Sequence, residues 1–120
     1  MPEVTELATL RGFDTPTICN AIEIIAPDRR AEGFTTKPFV CHDPSLPPMV
    51  GYARTAKIRA TRPSGRSKAD DMAVRIGYFK HVAEGPGPTV TVIEDIDEQV
   101  GFGAHWGEVN STLHQGLGSI

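Results

Sequence analysis

The sequence has no excess of basic residues, no long apolar run and no set of paired cysteines. Twelve Lys and Arg residues face fifteen Asp and Glu residues, so the formal net charge is −3 at pH 7. This balance argues against a dedicated nucleic-acid binder, which usually carries a basic domain or stripe. No apolar stretch approaches the roughly 20 residues of a membrane span, and Met1 to Glu3 do not resemble a secretory signal. We therefore expect a protein that binds neither nucleic acid nor membranes.

The two cysteines and several missing motifs narrow the chemistry further. Cys19 and Cys41 cannot make a disulfide framework, so we expect two reduced thiols in a cytoplasmic protein. The phosphate-loop and dinucleotide fingerprints are absent, and no Gly-x-Ser-x-Gly elbow occurs. The four histidines form no metal-ligand pattern with the cysteines. The length of 120 residues and the apolar content fit one globular domain, residues 1–120.

Apolar periodicity predicts an α/β protein in which helices and strands alternate. Helical spacing predicts four helices, over residues 3–11, 16–26, 68–83 and 107–115. Alternation predicts a strand over 49–60, and a β-branched run predicts another over 89–93. The long proline-containing connection over 27–48 leaves room for a short edge strand at 39–41, and residues 117–120 resemble the opening of a further strand. Strands that alternate with helices favour parallel crossovers.

Helix boundaries and one helix face can be predicted in more detail. Thr15 is predicted as the N-cap of the second helix, because threonine is a favoured capping residue. Pro16 then fits the first helical position, where its missing N–H costs nothing. Ser67 precedes Asp70 by three residues, which resembles a capping box. An apolar stripe on the third helix includes Met72 and Phe79, and we expect both side chains in the core.

A glycine-rich turn before the last helix is the best candidate for a binding site. Ligands of open α/β sheets bind beyond the carboxyl ends of the strands. A helix amino end offers free N–H groups and a positive dipole end to a carboxylate or phosphate. Gly103 and Gly107 would let a ligand approach the backbone, and Glu108 would stand at the mouth of that site for acid–base work. The alternative is that the segment has no binding role, because a glycine-rich loop with a glutamate in the first turn also favours the start of a helix.

An acidic run follows the second predicted strand. Four of the five residues from Glu94 to Glu98 are carboxylates. They could hold a hard cation, which prefers oxygen ligands. They could equally form a solvated acidic loop, and the sequence leaves both possibilities open.

Four stretches together resemble the RraA-like family. Thr15–Glu23 resembles the family's opening helix, and Met49–Ala56 resembles its Gly-x-Ala-x-Thr strand. Val90–Asp95 resembles its central strand, and Gly103–Glu108 resembles its glycine-rich loop with Trp-Gly-Glu. In order and spacing, the similarity spans about residues 7 to 118.

The resemblance implies a swivelling β/β/α fold that assembles as a homotrimer or hexamer. The family includes class II pyruvate aldolases, which act on 4-hydroxy-4-methyl-2-oxoglutarate and oxaloacetate. It also includes a non-catalytic regulator that inhibits ribonuclease E. The family's Arg-Asp motif, which would follow residue 120, is absent from this sequence, so the resemblance implies that residues 1–120 are the amino-terminal portion of the domain and lack activity by themselves.

The resemblance also assigns roles to four consecutive residues. The backbone amides of Gly107, Glu108, Val109 and Asn110 would hold the carboxylate of a 2-oxo acid, and Glu108 would handle the water or proton. The family uses Mg²⁺ or Mn²⁺, whose aspartate ligand belongs to the Arg-Asp motif. We therefore expect no metal ligand within this chain.

Overall fold

A computed structural model describes residues 4–120, which form two compact units divided after Val50. The fold is mixed α/β, as the periodicity predicts. Its elements are α1 (Val4–Leu10), α2 (Thr15–Ile25), a short 3₁₀ helix (Pro27–Arg29), β1 (Tyr52–Ile58), α3 (Lys68–Ala83), β2 (Thr89–Asp95) and α4 (Glu108–Gly116). None of the helices within residues 4–120 is long and apolar enough to cross a membrane.

The amino-terminal unit contains α1, α2 and the 3₁₀ helix, and it corrects two predictions. The N-cap of α2 is Asp14, whose carboxylate accepts a hydrogen bond from the Thr17 N–H at 2.8 Å, so the prediction of Thr15 as the cap is wrong. A carboxylate reaches the free amides of the first turn better than the threonine hydroxyl one residue later. Residues 39–41 form no strand, and the side chains of Phe39 and Val40 are exposed.

The carboxyl-terminal unit is built on a two-stranded parallel sheet. β1 pairs with β2 from Tyr52 opposite Thr89 to Ile58 opposite Asp95, and α3 connects the two strands. Along β1 the residues alternate between half-buried and exposed. This alternation confirms the predicted strand pattern, although the strand is shorter than residues 49–60.

A parallel bridge extends this sheet beside β2. The Thr89 N–H donates to the Gly118 carbonyl and the Ile120 N–H donates to the Thr89 carbonyl, both at 3.0 Å. Ser119 is thereby paired in parallel with Thr89, as expected for residues that open another strand. After α4 the chain thus returns to the amino end of β2.

The start of α3 agrees with the sequence, whereas its buried face does not. Ser67 Oγ accepts from the Asp70 N–H at 3.2 Å and donates to Asp70 Oδ2 at 2.7 Å, which confirms the predicted cap. Val82 is fully buried and Phe79 is half-buried, but Met72 is 55% exposed. The prediction of a core position for Met72 is therefore wrong, because α3 turns the face with Tyr78 and Val82 inward.

Candidate functional site

The amino end of α4 is open and carries no side-chain cap. Gly107 is the N-cap residue, and no side chain of the described residues 4–120 makes a capping hydrogen bond to this helix end. A Cβ placed on Gly107 would have no atom of the non-neighbouring described residues within 4 Å, so the space beside this glycine is open. The first N–H groups of any α-helix lack acceptors inside the helix. Together with the positive end of the helix dipole, they make this end suitable for a small anion.

The four residues predicted to bind substrate lie together at this end, but they differ in exposure. Glu108 and Val109 are exposed in the first turn of α4. Asn110 is half-buried, and its Nδ2 donates to the His105 carbonyl at 2.5 Å. The side chain of Asn110 therefore holds the preceding loop, and its backbone N–H belongs to the first turn that faces a ligand.

Gly103, which we expected to admit a ligand to the backbone, lies instead against β1's end. A Cβ on Gly103 would overlap the Cβ of Ala60. This glycine therefore allows close packing of the loop on the residues that follow β1, and of the two predicted glycines Gly107 is the one that faces open space.

A cluster of aromatic and imidazole rings lies behind the open end of α4. Tyr78 Oη lies 2.6 Å from His114 Nε2, and His114 Nδ1 lies 2.5 Å from the Asn110 carbonyl oxygen. Because a carbonyl only accepts, Nδ1 carries a proton and donates; in the neutral ring Nε2 then accepts from Tyr78. The Trp106 ring packs on His114 with centroids 4.7 Å apart. His114 is only 3% exposed, so this network fixes α3, α4 and the loop to each other.

His105 is the member of this cluster with unused hydrogen-bonding capacity. Its Nε2 is buried and has no hydrogen-bond partner among the described residues. The ring lines a cleft of about 230 Å³ whose other walls include Ile58, Val74 and Ile93. Burial, and secondarily the neighbouring His114, lower the pKa of His105, so its imidazole is neutral at pH 7 and can accept a hydrogen bond or a proton.

Sequence reasoning missed this cluster. No sequence pattern joins these histidines to Tyr78, which lies 36 positions before His114. The available signal was local: His105 is next to Trp106 within the glycine-rich segment, and His114 follows Asn110 by one helical turn.

The carboxylates of the acidic run have two roles: the aspartates accept hydrogen bonds from backbone N–H groups, and the glutamates form surface ion pairs. The Asp97 carboxylate, 6% exposed for the whole residue, accepts from the Ala60 N–H at 2.6 Å and from the Thr61 N–H and hydroxyl at 3.1 and 2.5 Å. The Thr61 hydroxyl is the main cause that lowers the pKa of Asp97. Asp95 accepts from the Gly101 N–H at 2.7 Å. The two glutamates, Glu94 and Glu98, pair with basic side chains.

The described residues do not fit the divalent cation that the resemblance implies. Across residues 4–120, no three or more His, Cys, Asp or Glu side chains are grouped so that they could hold a metal ion. Cys19 and Cys41 are free and exposed.

Comparison of the chain with protein-family models, with curated proteins and with solved structures finds no match. The RraA-like resemblance therefore stays a prediction.

Proposed function

We propose that this chain binds a 2-oxo acid at the amino end of α4 and takes part in aldol cleavage or decarboxylation that yields pyruvate. The observation that carries the proposal is the open, uncapped end of α4 with Glu108 in its first turn. A carboxylate is the anion that three adjacent amides and a helix dipole accommodate well. The resemblance of Gly103–Glu108 to the RraA-like loop suggests that the bound carboxylate belongs to a 2-oxo acid.

The proposed binding step uses the backbone and leaves the Glu108 side chain for chemistry. The substrate carboxylate would accept hydrogen bonds from the amides of Glu108, Val109 and Asn110. Negative charge that develops on the adjacent oxo group would also lie near the positive end of α4, which lowers the cost of that charge.

In the proposed chemical step, the Glu108 carboxylate acts as a general base that accepts a proton from the substrate. In aldol cleavage, Glu108 accepts the proton of the C4 hydroxyl, the C3–C4 bond breaks into a carbonyl product and the pyruvate enolate, and C3 then takes up a proton. In decarboxylation of oxaloacetate, the bond to the departing CO₂ breaks, and the same enolate is protonated at C3. Residues 4–120 offer no fitting ligand set for Mg²⁺ or Mn²⁺, so these steps describe only what this chain's own groups contribute.

A binding measurement and a rate measurement test this proposal together. Addition of pyruvate should shift the backbone NMR signals of residues 107–110. Because the resemblance implies that residues 1–120 lack activity by themselves, the rate is measured on a chain extended by the family's Arg-Asp motif. There the kcat for aldol cleavage of 4-hydroxy-4-methyl-2-oxoglutarate, with added Mg²⁺ and again with a chelator, should fall by roughly 10²–10⁴ for Glu108→Gln. Glu32→Gln, which removes another exposed carboxylate, is the matched control and should keep the parental rate. Equal kcat values for Glu108→Gln and the parent would overturn the catalytic role of Glu108.

A second candidate function is a non-catalytic binding protein, which the same segment also supports. Phe102, Trp106 and Val109 are 65%, 50% and 67% exposed. Exposed aromatic and aliphatic side chains of this kind are common in protein–protein contacts. Inhibition of ribonuclease E that Trp106→Ala abolishes, together with unshifted amides at 107–110 in the presence of pyruvate, would favour this alternative.

A further inference from the structure

A cleft of about 450 Å³ opens beside the carboxyl end of β1, and basic side chains dominate its walls. Lys57, Arg59, Arg62 and Arg66 all line it, whereas no carboxylate does. Four of the chain's twelve Lys and Arg residues thus converge on one opening of a chain whose net charge is −3. We call these four residues and the space between them the basic cleft.

Hydrogen bonds fix both ends of the segment 60–66, which supplies part of the wall of the basic cleft. On one side, the buried Asp97 carboxylate accepts hydrogen bonds from Ala60 and Thr61. On the other, Ser64 Oγ donates to Asp71 Oδ1 at 2.8 Å and accepts from the Arg66 N–H at 3.2 Å. These contacts fix the turn between β1 and α3, so the arginines extend from a backbone that needs little ordering when a ligand binds.

The carboxylates that neutralise these cations are weak competitors for a ligand. Lys57 and Arg62 form single contacts at 3.1 and 3.3 Å with exposed glutamates. Arg66 lies 3.8 Å from Asp71, and Arg59 lies 4.0 Å from Asp97. In the pairs of Lys57, Arg62 and Arg66 both side chains are more than half exposed, and pairs of this kind contribute little in water. The Asp97 carboxylate beside Arg59 is buried and keeps its place. An anion inside the cleft could therefore recruit Lys57, Arg62 and Arg66 at small cost.

The geometry points to a small phosphorylated compound as the ligand: we propose that the basic cleft binds its phosphate groups. Guanidinium groups match phosphate oxygens in charge and in planar, two-point geometry. The volume is that of a small-molecule site. A single opening with four basic residues, in a chain whose net charge is −3, fits a compact anion better than an extended nucleic acid, which usually meets a basic domain or stripe. This proposal uses none of residues 107–110 and is independent of the proposed function.

Calorimetric titration with inorganic pyrophosphate tests the proposal on the full chain. Arg62→Gln and Arg66→Gln should each weaken pyrophosphate binding by about tenfold or more, because each removes a charge-assisted contact. Arg30→Gln is the matched control, since Arg30 also forms one exposed ion pair, at 3.2 Å to Glu23, far from the cleft in sequence. It should change the dissociation constant by less than about twofold.

Four results would contradict the proposal. Absence of pyrophosphate binding at millimolar concentration and low salt would overturn it. So would an Arg30→Gln effect as large as that of Arg62→Gln. Citrate that binds as tightly as pyrophosphate would overturn the assignment to phosphate, and single-stranded DNA that binds more tightly would overturn the assignment to a small molecule. Circular dichroism should show the parental fold for the arginine variants, whose replaced side chains are more than half exposed.

Discussion

At the scale of single residues, the most informative side chain is His105, because its buried Nε2 has no partner among residues 4–120. Most buried polar atoms in native proteins are hydrogen-bonded. The contrast with His114 is clear, since both of its ring nitrogens are engaged by Tyr78 and by the Asn110 carbonyl. His114 therefore acts as a structural residue, whereas His105 retains capacity to bind a ligand in the adjacent cleft.

The lowered pKa of His105 predicts how stability depends on pH. In the unfolded chain this imidazole takes up its proton near pH 6.5, and in the folded chain burial shifts the pKa below that value. The unfolded state therefore binds the proton first as the pH falls, so the contribution of His105 is present above about pH 6.5 and is lost as the pH drops through the folded pKa.

Two measurements check this expectation. NMR titration should give an imidazole pKa for His105 below 6.5. Unfolding curves between pH 5 and 8 should depend less on pH in His105→Gln than in the parent, while His42→Gln, with an exposed ring in the other unit, leaves this dependence on His105 in place. A measured pKa at or above the ordinary value would contradict the burial argument.

At the scale of secondary structure, the sequence predicted the elements whose signals are local. Ser67 and Asp70 lie three positions apart and form the cap of α3, and alternation along β1 reports its two faces directly. The misses required information from outside the segment. The position of Met72 depends on which face α3 turns to the sheet, and a strand at 39–41 would need a neighbour with which to pair.

The cap of α3 gives a prediction for Ser67. Its hydroxyl accepts from the Asp70 N–H and donates to the Asp70 carboxylate, so Ser67→Ala should lower the free energy of unfolding by about 1 kcal/mol. Ser67→Asp, which keeps an acceptor at the N-cap, should recover most of the loss. Ser111→Ala is the control, because Ser111 bonds to the Gly107 carbonyl within α4 and caps no amide. Denaturant unfolding provides the measurement, and equal stability of Ser67→Ala and the parent would refute the role of the cap.

The candidate site could be predicted in part, because some of its residues are adjacent in the sequence. Gly107 to Asn110 are consecutive, so their placement at one helix end follows from the helix start alone. The ring cluster behind them unites residues from α3, the loop and α4. The basic cleft likewise unites the end of β1 with the turn before α3. The ring cluster has no sequence spacing that reveals it, whereas the residues of the basic cleft all fall within 57–66.

At the scale of the whole molecule, apolar side chains on α3 are the strongest reason to expect self-association. Met72 and Ile76 lie one helical turn apart and are 55% and 48% exposed. Among residues with described side chains, the buried hydrophobic ones are Leu7 and Val82. An apolar helical stripe that the sequence marks as core, but that this chain leaves exposed, is typical of a surface covered by another subunit.

We therefore predict an oligomer that depends on this stripe, with a trimer as the form implied by the RraA-like resemblance. Sedimentation at micromolar concentration should give about three times the 13.0 kDa mass of one chain. Ile76→Glu should shift the population toward monomer, because burying its new charge in an apolar contact is costly, while the helix signal in circular dichroism persists. Thr36→Glu adds the same charge at an exposed polar position of the other unit and should leave the mass unchanged. A parental chain that sediments as a stable monomer would disprove self-association, and an oligomer unaffected by Ile76→Glu would show that subunits meet through a different surface.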